Sequence, residues 1–220
     1  MNKFYPLKVK EVRKLTDDSV EISFEIPDAL LDKFRFKAGQ YITIRSTINN
    51  EEVRRAYSLC SSPNSEEISV GVKRVKGGKM SSFLTEKLSN GDNIEVMPPT
   101  GSFVLGDERN IIAICAGSGI TPILSMIKSK TSDVKLIYGN KTEDSTMFYS
   151  EIKNLNNDNY FLFSRENVLG SINGRITSDT LKNIKGIFDA DAYYICGPGE
   201  MIDSVSDFLK ENEVKGKINF

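Results

Sequence analysis

The sequence predicts two domains: an antiparallel β-sandwich or barrel over residues 1–105, then a doubly wound parallel-sheet α/β domain over 106–220. Three observations predict this. Hydrophobic periodicity changes near residue 105, from short alternating segments to continuous apolar runs interleaved with helical spacing. Gly, Pro and Asn clusters punctuate the first part at the close intervals of an antiparallel fold. In the second part, two glycine-rich turns each follow an apolar run and open a helix, as in a parallel sheet. At 220 residues the chain is long enough for two domains, each with its own core.

In the first part Val20, Ile22, Phe24 and Ile26 alternate with polar residues, as do Tyr41, Ile42, Thr43, Ile44 and Arg45. Ile68, Val70, Val72 and Val75 form a third segment, and Ile94-Glu95-Val96 a fourth. One helix is predicted over Met80 to Leu88, opened by Gly77-Gly78 and ended by Asn90-Gly91. In the second part Ile111 to Cys115 is a continuous apolar run, as a strand covered on both faces requires. Helical spacing follows over Pro122 to Lys130, a strand over Val134 to Tyr138, a helix over Met147 to Leu155 and a strand over Tyr160 to Phe163. Ala192 to Cys196 is a further strand, Glu200 to Lys210 a helix, and Gly216 to Phe220 a last edge strand.

Composition excludes whole classes of chemistry. The chain has no histidine, which removes Ser-His-Asp triads, Cys-His nucleophiles and histidine metal sites. Its three cysteines, Cys60, Cys115 and Cys196, match neither a disulfide framework nor a zinc or iron–sulfur site. Residues 1–105 carry 16 basic and 14 acidic side chains, and 106–220 carry 13 and 16, so neither part has the field that nucleic acid demands. The start lacks a signal-peptide core and no apolar run approaches membrane length, so a cytoplasmic protein without membrane contact is expected.

Four motifs carry the remaining chemistry. Cys115-Ala116-Gly117-Ser118-Gly119-Ile120-Thr121-Pro122 brings free amides and a helix dipole to a spot where the backbone admits a diphosphate. A tight turn alone would need the same glycines. It is not the usual dinucleotide fingerprint, because Pro122 replaces the third glycine and Tyr138-Gly139-Asn140-Lys141 puts no acid at the end of the second strand. Cys196-Gly197-Pro198-Gly199-Glu200-Met201 is a second glycine turn at the same predicted sheet edge. Arg54-Arg55-Ala56-Tyr57-Ser58 offers a phosphate-binding guanidinium, an aromatic ring two residues on and a hydroxyl donor. Gly71-Val72-Lys73-Arg74, followed by Gly77-Gly78-Lys79-Met80-Ser81-Ser82, reads as a second anion seat flanked by cations, or as a hairpin before a capped helix.

In this order, with Pro99-Thr100-Gly101-Ser102-Phe103 between them, the motifs resemble the ferredoxin–NADP reductase superfamily over nearly the whole chain. The likeness is to reductase components of bacterial oxygenases, of the phenylacetate-degradation and phenol hydroxylase type, and to the flavohaemoglobin reductase module. The resemblance implies an FAD-binding Greek-key barrel over 1–105 and an NAD(P)H-binding domain over 106–220. It implies an enzyme carrying electrons from NADPH, or alternatively NADH, through FAD to a separate acceptor: a [2Fe-2S] ferredoxin, an oxygenase or a haem protein.

In such an enzyme Tyr57, flanked by Ala56, stacks on the flavin, and Ser58 stands near its reacting nitrogen. Arg55, Gly78, Met80, Ser81 and Ser82 hold the diphosphate, with Gly71, Val72 and Lys73 alongside. Gly117, Ser118, Gly119, Ile120 and Thr121 seat the dinucleotide with Gly197, Pro198 and Met201. Cys196 lies close to the reacting carbon, and Ser58 and Cys196 are the implied catalytic pair. Ser164 and Arg165 resemble the element that grips the adenosine 2′-phosphate. Either Phe220 takes the place of a flavin-shielding aromatic or the nicotinamide face is unusually open. Relatives continue into a ferredoxin domain where this sequence stops, so electrons are expected to go to a separate protein, to a free acceptor or to a domain outside this sequence. Two other readings stay open: a free flavin or ferric reductase, and a redox-silent nucleotide-binding module.

Overall fold

The computed structural model describes residues 3–65, 67–129, 134–155 and 158–220. The chain divides into a first unit, Met1–Leu105 with Leu124–Ser129, and a second, Gly106–Ile123 with Lys130–Phe220.

Six antiparallel strands build the first unit: β1 (Tyr5–Thr16), β2 (Ser19–Glu25), β3 (Tyr41–Ile48), β4 (Glu51–Ser58), β5 (Ile68–Lys73) and β6 (Asn93–Thr100). Their order, β4-β3-β6-β1-β2-β5, inserts the last strand between the first and third, a Greek-key arrangement. Just past β4, Leu59 bridges Val70 of β5, and Cys60 N–H donates to the Ser69 carbonyl at 2.8 Å. These bonds join the two edge strands and close the sheet into a barrel. The β3–β4 hairpin turns at Asn49 and Asn50, with φ of 52° and 61°, the left-handed pair a two-residue turn demands.

Alternate residues point inward, so Ile22, Phe24, Ile42, Ile44, Val70 and Val96 form the barrel core. Each such side chain stabilises the fold by roughly 1.5–3 kcal/mol through burial. Two short α-helices lie between its strands, α1 (Leu31–Phe34) and α2 (Lys79–Glu86).

The second unit is a six-stranded parallel sheet. Its strands are β7 (Ile111–Ala116), β8 (Val134–Asn140), β9 (Asp158–Phe163), β10 (Ile172–Asn173), β11 (Ala192–Cys196) and β12 (Lys217–Asn219). They run in the order β10-β9-β8-β7-β11-β12, and every recorded pairing is parallel. The order reverses between β7 and β11, the topological switch point at which such sheets bind ligands. The helices of the second half of the chain are α3 (Ile120–Ser129), of which Leu124–Ser129 belongs to the first unit, α4 (Tyr149–Asn154), α5 (Ser178–Lys182) and α6 (Gly199–Glu211). Ile112, Ile114, Ile137, Leu162, Tyr193 and Phe208 lie in the core of this unit.

Element bounds depart from the sequence reading where local geometry intervenes. The helix expected from Met147 begins at Tyr149, because Phe148 sits at φ 59° and cannot continue a right-handed turn. Helix α3 starts two residues before Pro122, after a 3₁₀ turn over Gly117–Gly119. Its predicted end at Lys130 lies outside the described residues. Strand β1, unread in the sequence, pairs with both β2 and β6.

Candidate functional site

Ala116 ends β7, Gly117 takes φ 56° and the 3₁₀ turn delivers the chain into α3. The Tyr138 hydroxyl donates to the Gly117 carbonyl at 2.9 Å, fixing the turn from the neighbouring strand. Thr121 Oγ1 donates to the Ser118 carbonyl at 3.0 Å, bracing it from the helix side. A methyl group at Gly117 would meet nothing within 4 Å, so the turn faces open space there. Ser118 is exposed, whereas Gly119, Ile120 and Thr121 are buried and offer a ligand backbone rather than side chain.

The second glycine turn follows β11, and Cys196 is paired in register with Cys115 of β7. The two turns are in contact. A Cβ on Gly119 would lie 2.2 Å from the Cys196 carbonyl oxygen, and one on Gly197 would lie 3.3 Å from Ala116 N. Only glycine allows the backbones this close. Met201 closes over Gly197, its Cε 2.7 Å from where a Cβ would stand, and Pro198 caps α6 at the rim. Burial pushes the Cys196 thiol up to about 11, so it is neutral at ordinary pH. Burial raises Cys115 further, and the neighbouring Cys196 adds to the rise.

At the next pair of strand ends, Ser164 N–H donates to the Asn140 carbonyl at 3.0 Å and Arg165 N–H to the Lys141 carbonyl at 2.9 Å. Ser164 is half-buried and Arg165 exposed. Phe220 follows the edge strand β12 directly and is 68% exposed.

In the first unit, Arg55, Tyr57 and Ser58 lie at the end of β4, opposite Ile44, Ile42 and Tyr41 of β3. Tyr57 packs its ring against the barrel core, and burial pushes its phenol up to about 12. Ser58 is half-buried, and its hydroxyl has no hydrogen-bond partner among the described residues. The exposed Arg55 donates to the Arg54 carbonyl at 2.7 Å and pairs with no described carboxylate. Ala56 is exposed beside it.

The second anion seat is built differently from the sequence reading. Its flanking cations are already neutralised, Lys73 by Asp18 at 3.3 Å and Arg74 by Glu86. Ser81 Oγ accepts from Val75 N–H at 3.1 Å, so this hydroxyl ties the loop before α2 to the helix. Met80 is 1% exposed and Val72 fully buried, so both side chains belong to the core. Gly71 is buried within β5; Gly78 and Ser82 remain partly accessible at the start of α2.

Residues 6–105 match the model of the oxidoreductase FAD-binding domain, and 113–207 that of the oxidoreductase NAD-binding domain. The chain belongs to the ferredoxin–NADP reductase-like oxidoreductases. It is 36% identical over 231 residues to a component of the 1,2-phenylacetyl-CoA epoxidase of Escherichia coli, covering 96% of this chain and 65% of the relative. Against the ferredoxin reductase component of 3-ketosteroid-9-alpha-monooxygenase from Rhodococcus rhodochrous, identity is 34%, covering 92% and 60%. The chain thus spans somewhat under two thirds of these relatives. Among solved structures, the FAD/NAD-binding domain of a Vibrio cholerae nitric oxide dioxygenase superposes with a TM-score of 0.86 at 22% identity, covering 97% and 96%. A Neisseria gonorrhoeae ferredoxin NADP+ reductase does so at 0.84 and 23%, covering 99% and 98%. These two likenesses establish the fold.

The residues present suit the groups such a reductase carries. The open space at Gly117 and the exposed Ser118 leave room for a diphosphate at the turn between β7 and α3. The unpaired Arg55 and the half-buried Tyr57 ring give a phosphate donor and an aromatic surface on one strand. Two features of the fold escaped the sequence reading. The Tyr138 hydroxyl beneath the first glycine turn looked like part of an apolar strand, and the left-handed Phe148 carries no local signature. No helix among the described residues is long and apolar enough to cross a membrane.

Proposed function

We propose that this chain is an FAD-dependent NADPH oxidoreductase that passes electrons singly to a separate cytoplasmic acceptor protein, a [2Fe-2S] ferredoxin, an oxygenase or a haem protein. The observation that carries the reading is the packing of Gly119 against the Cys196 carbonyl, with a prospective Cβ distance of 2.2 Å. It joins two glycine turns at the switch point of the sheet, where a dinucleotide is expected. The names of the relatives, both components of oxygenase systems, support a protein acceptor.

Bound FAD supplies hydride acceptance and one-electron release, chemistry for which the chain has no side chain. Tyr57 presents its ring, Ser58 a free hydroxyl donor and Arg55 an unpaired guanidinium for phosphate. The amides of the Gly117–Thr121 turn would receive the dinucleotide diphosphate, and Gly78 and Ser82 at the start of α2 would hold that of FAD. Cys196 offers a small neutral thiol at the end of β11, where its raised pKa keeps it from acting as a nucleophile. Ser164 and Arg165 favour NADPH over NADH because a guanidinium and a hydroxyl pair with phosphate charge. We take 1–105 and 106–220 as the two cofactor domains, a division supported by the bounds of the family models.

The test is a visible spectrum of freshly purified protein, followed by anaerobic addition of NADPH and, separately, NADH. A yellow protein bleached faster by NADPH is expected. A colourless protein that stays inert after added FAD would overturn the assignment in favour of a redox-silent module.

A further inference from the structure

Cys196 ends β11 and pairs in register with Cys115 of β7, which pairs in turn with Tyr138 of β8. Register partners in a parallel sheet share a face, so the two thiols stand side by side on adjacent strands. Electrostatics agrees with one row on one face. Burial raises the Cys115 thiol and the charge of Cys196 raises it further, as that of Cys115 does for Tyr138. Both cysteines are free thiols. Cys115 is fully buried, whereas Cys196 is partly accessible and provides the way in.

Spacing decides what can join them. Neighbouring strands lie about 4.8 Å apart, and the side chains of register partners project in parallel rather than toward each other. A direct S–S bond of about 2.0 Å needs converging side chains and would be strained here. A linear sulfur–metal–sulfur bridge fits the gap. With bonds of about 2.3 Å, the length of a zinc thiolate bond, it spans about 4.6 Å. Among the described residues no cluster of three or more His, Cys, Asp and Glu side chains could hold a metal, so zinc, which takes four ligands, is poorly served. Charge narrows the choice further. Tyr138, on the other side of Cys115, is buried, and its hydroxyl is committed to the Gly117 carbonyl. A net charge buried in such a row costs several kcal/mol, so two thiolates call for a divalent cation. A monovalent one would leave an uncompensated anion.

We propose that Cys115 and Cys196 form a two-thiolate site for a soft divalent cation that takes two ligands in line, the mercuric ion. Two S–H bonds break, two Hg–S bonds form, two protons leave for solvent and no oxidation state changes. The site needs neither FAD nor NADPH, so it stands independently of the reductase reading. The full chain as purified is loaded with mercuric chloride, desalted against an excess of N-acetylcysteine, and its metal content measured. A single protein thiol loses the ion to that excess, whereas two thiols on adjacent strands act at a high effective concentration and keep it. One mercuric ion should be retained per chain. Cys115→Ala and Cys196→Ala should each lower retention at least about tenfold, and Cys60→Ala should leave it unchanged. Proteolysis of the loaded, unaltered protein keeps the test independent of how the variants fold. Mass spectrometry should then find the peptides containing Cys115 and Cys196 joined through one mercuric ion. No retention by the unaltered protein, retention unchanged in Cys115→Ala, or mercury carried on the Cys60 peptide would each overturn the site. A metal-free disulfide between the two peptides would overturn it as well, by showing that the strands converge.

Discussion

Ser58 and Cys196 end strands in their respective units, yet their environments equip them for different work. Ser58 is half-buried and its hydroxyl is unspent within the described structure, so it is available as a donor. Cys196 is a thiol whose burial, at a pKa of about 11, keeps it protonated. Ser58→Ala should therefore leave flavin bound while slowing reduction by NADPH about 10–100-fold, the loss of one well-aimed donor. Stopped-flow bleaching at the unaltered rate would remove Ser58 from the mechanism. The motif around it was legible because Arg55, Tyr57 and Ser58 are contiguous. The ion pairs of Lys73 and Arg74 could not be read locally, because their partners, Asp18 and Glu86, belong to other parts of the chain.

At the scale of elements, the two glycine turns form one construction. Gly119→Ala drives a methyl group into the Cys196 carbonyl at 2.2 Å, where only backbone can yield. The expected cost is about 1–3 kcal/mol of stability together with lost dinucleotide binding. Gly117→Ala meets no atom within 4 Å and bears only the strain of φ 56°, about 1 kcal/mol. Urea unfolding of both variants checks the ranking, and a larger loss at Gly117 would contradict it.

Two of the strands missed or shortened in the sequence, β1 and β6, share a cause, which is interrupted alternation. The register of β1 shifts between Val9 and Glu11 and again between Lys14 and Thr16, so its apolar residues drop out of period two. In β6, Pro98 and Pro99 cannot donate to the ladder, and the β3 pairing slips between Tyr41 and Thr43. The unbroken runs of β7 and β11 lie in the interior of their sheet and were read with nearly their observed bounds.

For the whole molecule, the absence of histidine sets the pH response. No side chain with an ordinary pKa titrates between pH 6 and 8. The perturbed buried groups are thiols and phenols displaced upward: Cys196 to about 11, Tyr57 to about 12, and Cys115 and Tyr138 in the same direction, all chiefly by burial. A group with a folded pKa above its unfolded value contributes fully below the unfolded value and loses that contribution as pH rises through the folded one. Stability should therefore be level from pH 6 to 8 and decline above about pH 9, where unfolded thiols and then phenols ionise. Thermal melts across this range check it. A midpoint that moves by more than about 4 °C between pH 6 and 8, equivalent to roughly 1 kcal/mol, would contradict it.

The sequence alone determined the order of the two domains, the class of each sheet and the position of both glycine turns, because periodicity and turn chemistry are properties of neighbouring residues. It also excluded histidine chemistry outright. Tertiary structure alone decided that Leu59 meets Val70 to close the barrel and that Gly119 rests on Cys196. Those contacts join residues far apart in the chain. Strand register and charge pairing between such residues are set by packing of the whole sheet, which no local pattern encodes.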